Sequence, residues 1–144
     1  MRKKYLFVLL ATSALLVFFW SGCKLDSPSD VHYTEYVLEI DSIIHPDTIR
    51  LGNSLPIKFY GTIGHDGCHS FSRFDGHFEG KTILITAYGR QSDETVCPSV
   101  EQYLQGLTLA VNQLDTGRYI IHVQQAYPPD LYDTVFVSGF GEVK

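Results

Sequence analysis

Apolar and polar residues alternate with a period of two along most of this chain after residue 35. Leu38 and Ile40 alternate with acidic residues, and Tyr119, Ile121 and Val123 form the clearest alternating run. A strand turns successive side chains to opposite faces, whereas an amphipathic helix repeats its apolar positions about every 3.6 residues. The pattern therefore predicts strands that turn one face towards a core.

Short turn signals separate the predicted strands. Gly52-Asn53-Ser54 and Gly64-His65-Asp66-Gly67 interrupt the alternation with turn-forming residues. Residues 81–89 are β-prone at every position, which predicts a strand buried on both faces. Phe71 is out of phase with its apolar neighbours, which predicts a β-bulge. Seven or eight antiparallel strands with this spacing predict an all-β sandwich, with segments at 36–44, 48–51, 55–63, 68–78, 81–90, 103–112, 118–125 and 131–138.

The first 22 residues have a different pattern. Basic residues at positions 2–4 precede a stretch of 15 residues, Leu6 to Trp20, that is apolar except for Thr12 and Ser13. This stretch is shorter than the roughly 20 residues that a membrane-spanning helix needs. A positive start, a short apolar stretch and small residues at its end predict an export signal over residues 1–22.

The end of the export signal and the residue after it read Phe19-Trp20-Ser21-Gly22-Cys23. This segment resembles the lipobox of bacterial lipoproteins. The resemblance implies cleavage before Cys23, a diacylglyceryl thioether on its sulfur and an acylated (palmitoyl-type) amine. Two or more acyl chains anchor a protein stably to a membrane. The implied location is the bacterial envelope, most often the outer membrane, with the domain in the periplasm or at the cell surface. A plain secretory signal and an uncleaved signal-anchor are the alternatives.

Composition narrows the range of partners. Loss of residues 1–22 removes three of the 11 basic residues and none of the 16 acidic ones, which leaves a net charge of −8 with neutral histidines. Nucleic acids and anionic lipids attract basic patches, so this charge argues against nucleic acid as a partner. Residues 23–33 lack any periodic pattern and are predicted to be the lipidated cysteine and a flexible tether. Residues 34–144 are of a length typical of one domain.

One motif makes the predicted sandwich more specific. Leu114, Gly117 and Tyr119 follow the pattern Leu-x-x-Gly-x-Tyr, which is similar to the tyrosine corner of immunoglobulin-like and fibronectin-like domains. In such corners the tyrosine hydroxyl bonds to nearby backbone before the penultimate strand. The resemblance implies an immunoglobulin-like sandwich. In that topology, the connections 64–67, 91–102 and 126–130 gather at one end.

A disulfide between Cys68 and Cys97 is predicted. Exported proteins fold where disulfides persist. Cys68 begins a predicted strand next to the connection 64–67, and Cys97 lies in the connection 91–102, so the implied topology brings both to the same end. An alternative is a zinc site formed by the two thiolates with His65 and His69. The usual paired spacing of zinc ligands is missing from the sequence, so no metal or cofactor is expected.

The same end also holds the candidate binding residues. Loops on a rigid scaffold are the usual place for binding. A His/Asp connection beside an aromatic, proline-rich connection could present a stacking surface for a glycan or a peptide. The alternative is that the prolines rigidify their connection and the tyrosines cover the disulfide. The candidates are His65, Asp66, His69, Tyr127, Asp130 and Tyr132.

The sequence lacks the usual enzyme motifs. It contains neither a Gly-x-Ser-x-Gly elbow nor a His-Glu-x-x-His zinc motif, and it has no Asp-rich calcium loop. We therefore expect a non-enzymatic, lipid-anchored binding or structural module of the envelope, whose partner is an envelope protein, a peptide or a glycan. Two alternatives remain open: a glycan- or peptide-binding surface lipoprotein that uses the 64–67 and 126–130 end, and a metal-handling envelope protein. The metal alternative requires free thiols at Cys68 and Cys97.

Overall fold

The computed structural model describes residues 31–139. The predicted signal peptide, the lipidated Cys23 and most of the predicted tether lie outside this range. The described chain forms nine strands: β1 (Tyr33–Val37), β2 (Glu39–Ile44), β3 (Thr48–Arg50), β4 (Leu55–Gly64), β5 (His69–Glu79), β6 (Thr82–Ser92), β7 (Gln102–Val111), β8 (Gly117–Gln124) and β9 (Leu131–Ser138). Within this range there is no helix with the length and apolar character needed to cross a membrane.

The strands form two sheets. The larger sheet has six strands in the order β1-β6-β8-β9-β3, with β5 paired to the other edge of β6, and it curls into a half-barrel. The smaller sheet has three strands in the order β2-β4-β7. The all-β fold predicted from the period-two alternation is thus confirmed, together with a disulfide between Cys68 and Cys97.

The first predicted strand, 36–44, is divided between the two sheets. β1 pairs with β6, whereas β2 pairs with β4. The division falls at Leu38, which is buried and whose N–H donates to the Ala87 carbonyl at 2.8 Å. Leu38 and Ile40 both face the core, so the alternation runs through the crossover and does not mark it. This division is the reason for nine strands where the sequence predicts seven or eight.

Two strand pairings are parallel, where the sequence predicts only antiparallel neighbours. β6 pairs with β8 in parallel, and so does β3 with β9. The strand between β6 and β8 is β7, which pairs with β4 in the other sheet. The chain therefore crosses to the smaller sheet and returns beside β6 in the same direction. Apolar periodicity reports the face of each residue and carries no information about which strands become neighbours.

The core lies between the two sheets and follows the predicted alternation. Leu55, Ile57 and Phe59 of β4 are fully buried and belong to one apolar cluster with Ile121 and Val123 of β8. The predicted burial of β6 on both faces is confirmed, because every residue from Ile83 to Ala87 is buried. The predicted bulge in β5 is also confirmed, since the β5–β6 register shifts between Phe71 and Arg73.

Candidate functional site

A cleft of about 380 Å³ opens at the end of the fold that holds the disulfide. One wall comes from the β1–β2 crossover, a second from the end of β4 and the start of β5, and a third from the β8–β9 connection. Each wall is distant from the others in sequence, so the cleft exists only in the folded chain. Its lining residues are Tyr36, Val37, Leu38, Glu39, Thr62, Ile63, Gly64, His65, His69, Ala126 and Tyr127.

The β4–β5 connection is organised by Asp66. Its Oδ1 accepts hydrogen bonds from the Cys68 N–H at 2.9 Å and from His69 Nδ1 at 2.7 Å. The hydrogen bond from His69, followed by that from the Cys68 backbone, lowers the pKa of the Asp66 carboxyl below its ordinary value. The Gly67 N–H donates to the Pro98 carbonyl at 2.8 Å, which ties this connection to the one that carries Cys97. The disulfide and these hydrogen bonds hold the wall together.

The ring of His69 packs closely against two neighbours. A Cβ atom at Gly64 would come within 2.2 Å of the His69 ring, so only glycine leaves room for the imidazole there. Tyr36 meets the ring edge-on, with centroids 5.8 Å apart and planes at 79°. The Tyr36 hydroxyl donates to the Ile63 carbonyl at 2.5 Å. Burial raises the pKa of Tyr36, and the nearby charge of Asp66 raises it further.

The β8–β9 connection is organised by Asp130 in a similar way. Its Oδ1 accepts a hydrogen bond from the Gln125 N–H at 3.0 Å, and its Oδ2 accepts one from His122 Nε2 at 2.7 Å. These two hydrogen bonds, with that of His122 the larger, lower the pKa of Asp130. The ring of Tyr132 stacks on His122 with centroids 4.3 Å apart. Because Ile121 and Val123 face the core, His122 and its partners lie on the outer face of the larger sheet.

The structure divides the six candidate binding residues into two groups. Three of them line the cleft: His65, His69 and Tyr127, the last with 74% of its surface exposed. Asp66 stands behind His69 as its hydrogen-bond partner. Asp130 and Tyr132 belong instead to the group around His122, although Tyr132 is also exposed. Of the two tyrosines, Tyr127 therefore lines the cleft, whereas Tyr132 stacks on His122.

Sequence reasoning missed two residues at this end. Tyr36 is in phase with Leu38 and Ile40, so its inward direction could have been read from the alternation. No feature of the sequence pattern indicated a role for Gln125. Its side-chain amide accepts from the Ile40 N–H at 2.9 Å and donates to the Ile40 carbonyl at 2.8 Å, which joins the β8–β9 connection to β2.

The predicted zinc alternative meets a chemical obstacle. Asp66, Cys68 and Cys97 have potential ligand atoms within 4.8 Å of one another. Zinc, however, binds cysteine as a thiolate, and both sulfurs are joined in the disulfide. The free thiols that a metal-handling function requires are therefore not present.

The cleft combines an exposed aromatic ring from one wall with polar groups from the other two. Glu39 supplies a carboxylate, Thr62 a hydroxyl, and His65 and His69 supply imidazoles. Such a mixture of an apolar surface and a few convergent polar groups is typical of ligand sites. No protein-family model, curated protein or solved structure matches this chain. The geometry of the cleft is therefore the basis for inferring a function.

Proposed function

We propose that this chain is a lipid-anchored, non-enzymatic binding module of the bacterial envelope, and that its ligand occupies the cleft at the disulfide end. The observation that carries this proposal is the meeting of His69 and Tyr127 in one cleft. His69 lies at the start of β5 and Tyr127 in the β8–β9 connection, far apart in sequence. The disulfide at Cys68 and the hydrogen-bonded Asp66 stabilise the chain next to His69. A rigid scaffold that presents such connections is the usual architecture of a binding site.

The anchor part of the proposal is supported by the lipobox-like residues before Cys23. The intact mass of the chain extracted from membranes tests it. We expect the mass of residues 23–144 plus acyl chains, and we expect Cys23→Ala to abolish the acyl mass. An unacylated chain in the wild type would contradict the anchor and leave the binding part untouched.

The immunoglobulin-like relationship belongs to the same proposal. Its support is the Tyr119 hydroxyl, which accepts a hydrogen bond from the Asp115 N–H at 2.9 Å, as the Leu-x-x-Gly-x-Tyr motif predicts. The order of strands in the larger sheet departs from the usual arrangement. In immunoglobulin domains the fourth main strand belongs to the same sheet as the first two strands. The corresponding strand here is β6, which lies in the larger sheet beside β8 and not with β2 and β4 in the smaller sheet. The proposed likeness to immunoglobulin domains is therefore limited to the two-sheet architecture and the tyrosine corner.

Binding can be tested with the mature, acylated chain in detergent micelles on arrays of glycans and of short peptides. We expect one class of probe to bind, and Tyr127→Ala to weaken its affinity about fivefold because an aromatic contact is lost. Tyr103→Ala is the matched control, since Tyr103 is exposed on β7 and does not line the cleft. Equal losses in the two variants, or no binding to either array, would contradict the proposed site.

A structural role as a subunit of an envelope complex is the second candidate. It is favoured by a separate cleft of about 320 Å³ lined by β5, β6 and β7, with Phe74, Phe78 and Leu109 among its apolar residues. Phe78 in this cleft and Leu107 of β7 are partly exposed. Exposed apolar surface next to strand edges is a common feature of interaction sites. Co-purification of a stoichiometric envelope protein that is lost in Phe78→Ser would support this role.

A further inference from the structure

The proton between Asp66 and His69 has a defined position. Asp66 Oδ1 already accepts the Cys68 N–H at 2.9 Å and lies 2.7 Å from His69 Nδ1. A carboxylate can only accept, so the hydrogen of this bond belongs to Nδ1. In a neutral imidazole with a hydrogen on Nδ1, the other nitrogen carries a lone pair. In its neutral form, His69 therefore presents Nε2 as a hydrogen-bond acceptor.

This acceptor differs from the other histidines that pair with acids. His45, His77 and His122 all approach their carboxylates through Nε2. His69 uses Nδ1, and in the part of the chain that the structure describes its Nε2 makes no hydrogen bond. Gly64, Tyr36 and Asp66 restrict the ring from separate directions. His69 thus contributes an oriented, unpaired acceptor to the wall of the cleft.

The other groups of the cleft have matching chemistry. Glu39 adds a carboxylate acceptor, and Tyr127 adds an exposed ring from the opposite connection. Among the described residues that line the cleft there is no lysine or arginine, so the site does not suit an anion. Acceptors beside an aromatic face suit a ligand with several hydroxyl donors and an apolar face of C–H groups, which is the chemistry of a neutral sugar.

On the basis of the proposed function, we infer that the ligand of the cleft is a neutral carbohydrate, with a sugar hydroxyl donating to His69 Nε2 and a sugar face stacking on Tyr127. Asp66 acts as a positioning residue, because it holds the hydrogen on Nδ1 and does not line the cleft itself. A peptide has fewer donors and no comparable hydroxyl-bearing face, so it fits this arrangement less well.

The first experiment follows the ring nitrogens of His69 by NMR in the mature chain labelled with ¹⁵N-histidine, in detergent micelles near pH 8. We expect the Nδ1–H form in the free protein. Titration with cellotetraose should then shift His69 Nε2 and the Tyr127 ring. Per-O-methylated cellotetraose has a similar shape and no hydroxyl donors, and we expect it to leave Nε2 unchanged.

The second experiment uses variants. His69→Phe retains a planar ring and removes the acceptor, so we expect cellotetraose affinity to fall about fivefold, the effect of one neutral hydrogen bond. His77→Phe is the matched control, because His77 lies on β5 outside the cleft. Asp66→Ala should raise the population of the Nε2–H form of His69, a signature that a purely structural role of Asp66 would not produce. If His69→Phe fails to fold, the wild-type titration remains decisive.

The outcomes separate this inference from the function on which it depends. An Nε2–H form in the free wild type, or equal shifts from the methylated and unmethylated sugars, overturns the acceptor role of His69. A peptide that shifts Tyr127 when cellotetraose does not overturns the carbohydrate class and retains a binding module. If the glycan and peptide arrays also give no binding, both the inference and the proposed function fail.

Discussion

At the scale of single residues, Asp66 and Asp130 have the same structural role in two different connections. Each carboxylate accepts one backbone N–H and one imidazole nitrogen. Each carboxylate thus satisfies a nearby backbone N–H and orients the ring of one histidine. A short acidic residue suits this role because its side chain bonds readily to nearby backbone.

The first prediction concerns the titration of Asp130. The hydrogen bonds from His122 and from the Gln125 backbone lower its pKa below the ordinary value of 3.8. A lowered pKa in the folded state means that the ionised form stabilises the fold above the unfolded value, and that this stabilisation is lost as pH falls through the folded value. Carboxyl ¹³C NMR should therefore give a midpoint below 3.8.

The matched variants for that titration are His122→Asn and His77→Asn. Removal of the His122 imidazole takes away the larger cause of the shift, so the Asp130 midpoint should rise towards its ordinary value. His77 contacts Glu79 instead, and its variant should leave the midpoint unchanged. An unchanged midpoint in His122→Asn would contradict the assignment of the shift to that imidazole.

The second prediction concerns the tyrosine corner. The Tyr119 hydroxyl accepts from the Asp115 N–H at 2.9 Å and from Lys81 Nζ at 3.0 Å, in a side chain that is 4% exposed. Tyr119→Phe should lower the free energy of unfolding by about 1–2 kcal/mol, because it leaves the Asp115 N–H without its acceptor. Urea denaturation measures the loss. Tyr127→Phe, on an exposed ring, should change stability by less than about 0.5 kcal/mol.

At the scale of elements, the two sheets are joined at one end by a side chain. Gln125 pairs with both the N–H and the carbonyl of Ile40, as another strand would. The β2–β4 register shifts between Ile40 and Ser42, so the bulge in β2 coincides with the residue that Gln125 reaches. The bulge and the glutamine together fix where the β8–β9 connection lies, and with it the cleft wall that carries Tyr127.

The third prediction follows from this tie. Gln125→Ala removes both hydrogen bonds and leaves the partly buried polar backbone of Ile40 unsatisfied. We expect a loss of about 2 kcal/mol in the free energy of unfolding. Gln105→Ala is the control, because Gln105 is exposed on β7 and should contribute little. Equal free energies of unfolding of the two variants in urea would show that the Gln125–Ile40 hydrogen bonds do not stabilise the fold.

At the scale of the whole molecule, the disulfide closes the end that carries the cleft. Cys68 and Cys97 are 29 residues apart in sequence, and their sulfurs join the β4–β5 and β6–β7 connections. The backbone hydrogen bond from Gly67 to Pro98 joins the same two connections. These links connect the His69 wall to a second part of the chain, so the geometry of the cleft depends on long-range closure.

The fourth prediction tests that closure. In the double variant Cys68→Ala/Cys97→Ala, with Cys23 unchanged, the free energy of unfolding should fall by about 3–4 kcal/mol. This is the contribution that loop-closure entropy gives for a closed loop of this length. Thermal and urea unfolding measure the loss. The wild type with reductant should match the double variant, and reductant should not alter the double variant itself. Undiminished stability would contradict a disulfide that stabilises the fold.

The sequence alone determined which face most core residues occupy. Alternation placed the strands close to their observed bounds. It also indicated the bulge next to Phe71 and the burial of β6 on both faces, which the structure shows for residues 83–87. These features are local, because side-chain direction in a strand depends on position along the chain. The pairing of Cys68 with Cys97 was also predictable, since the described domain offers only these two cysteines.

The tertiary structure alone decided which strands and which candidate residues became neighbours. The crossover at Leu38, the parallel pairing of β6 with β8, and the meeting of His69 with Tyr127 in one cleft all depend on long-range packing. No local period encodes such packing, because a strand keeps the same inward face beside several alternative partners. The wall of the cleft combines both levels: Gly64 and Asp66 lie within five residues of His69 in sequence, whereas Tyr36 reaches its ring only when β1 has paired with β6.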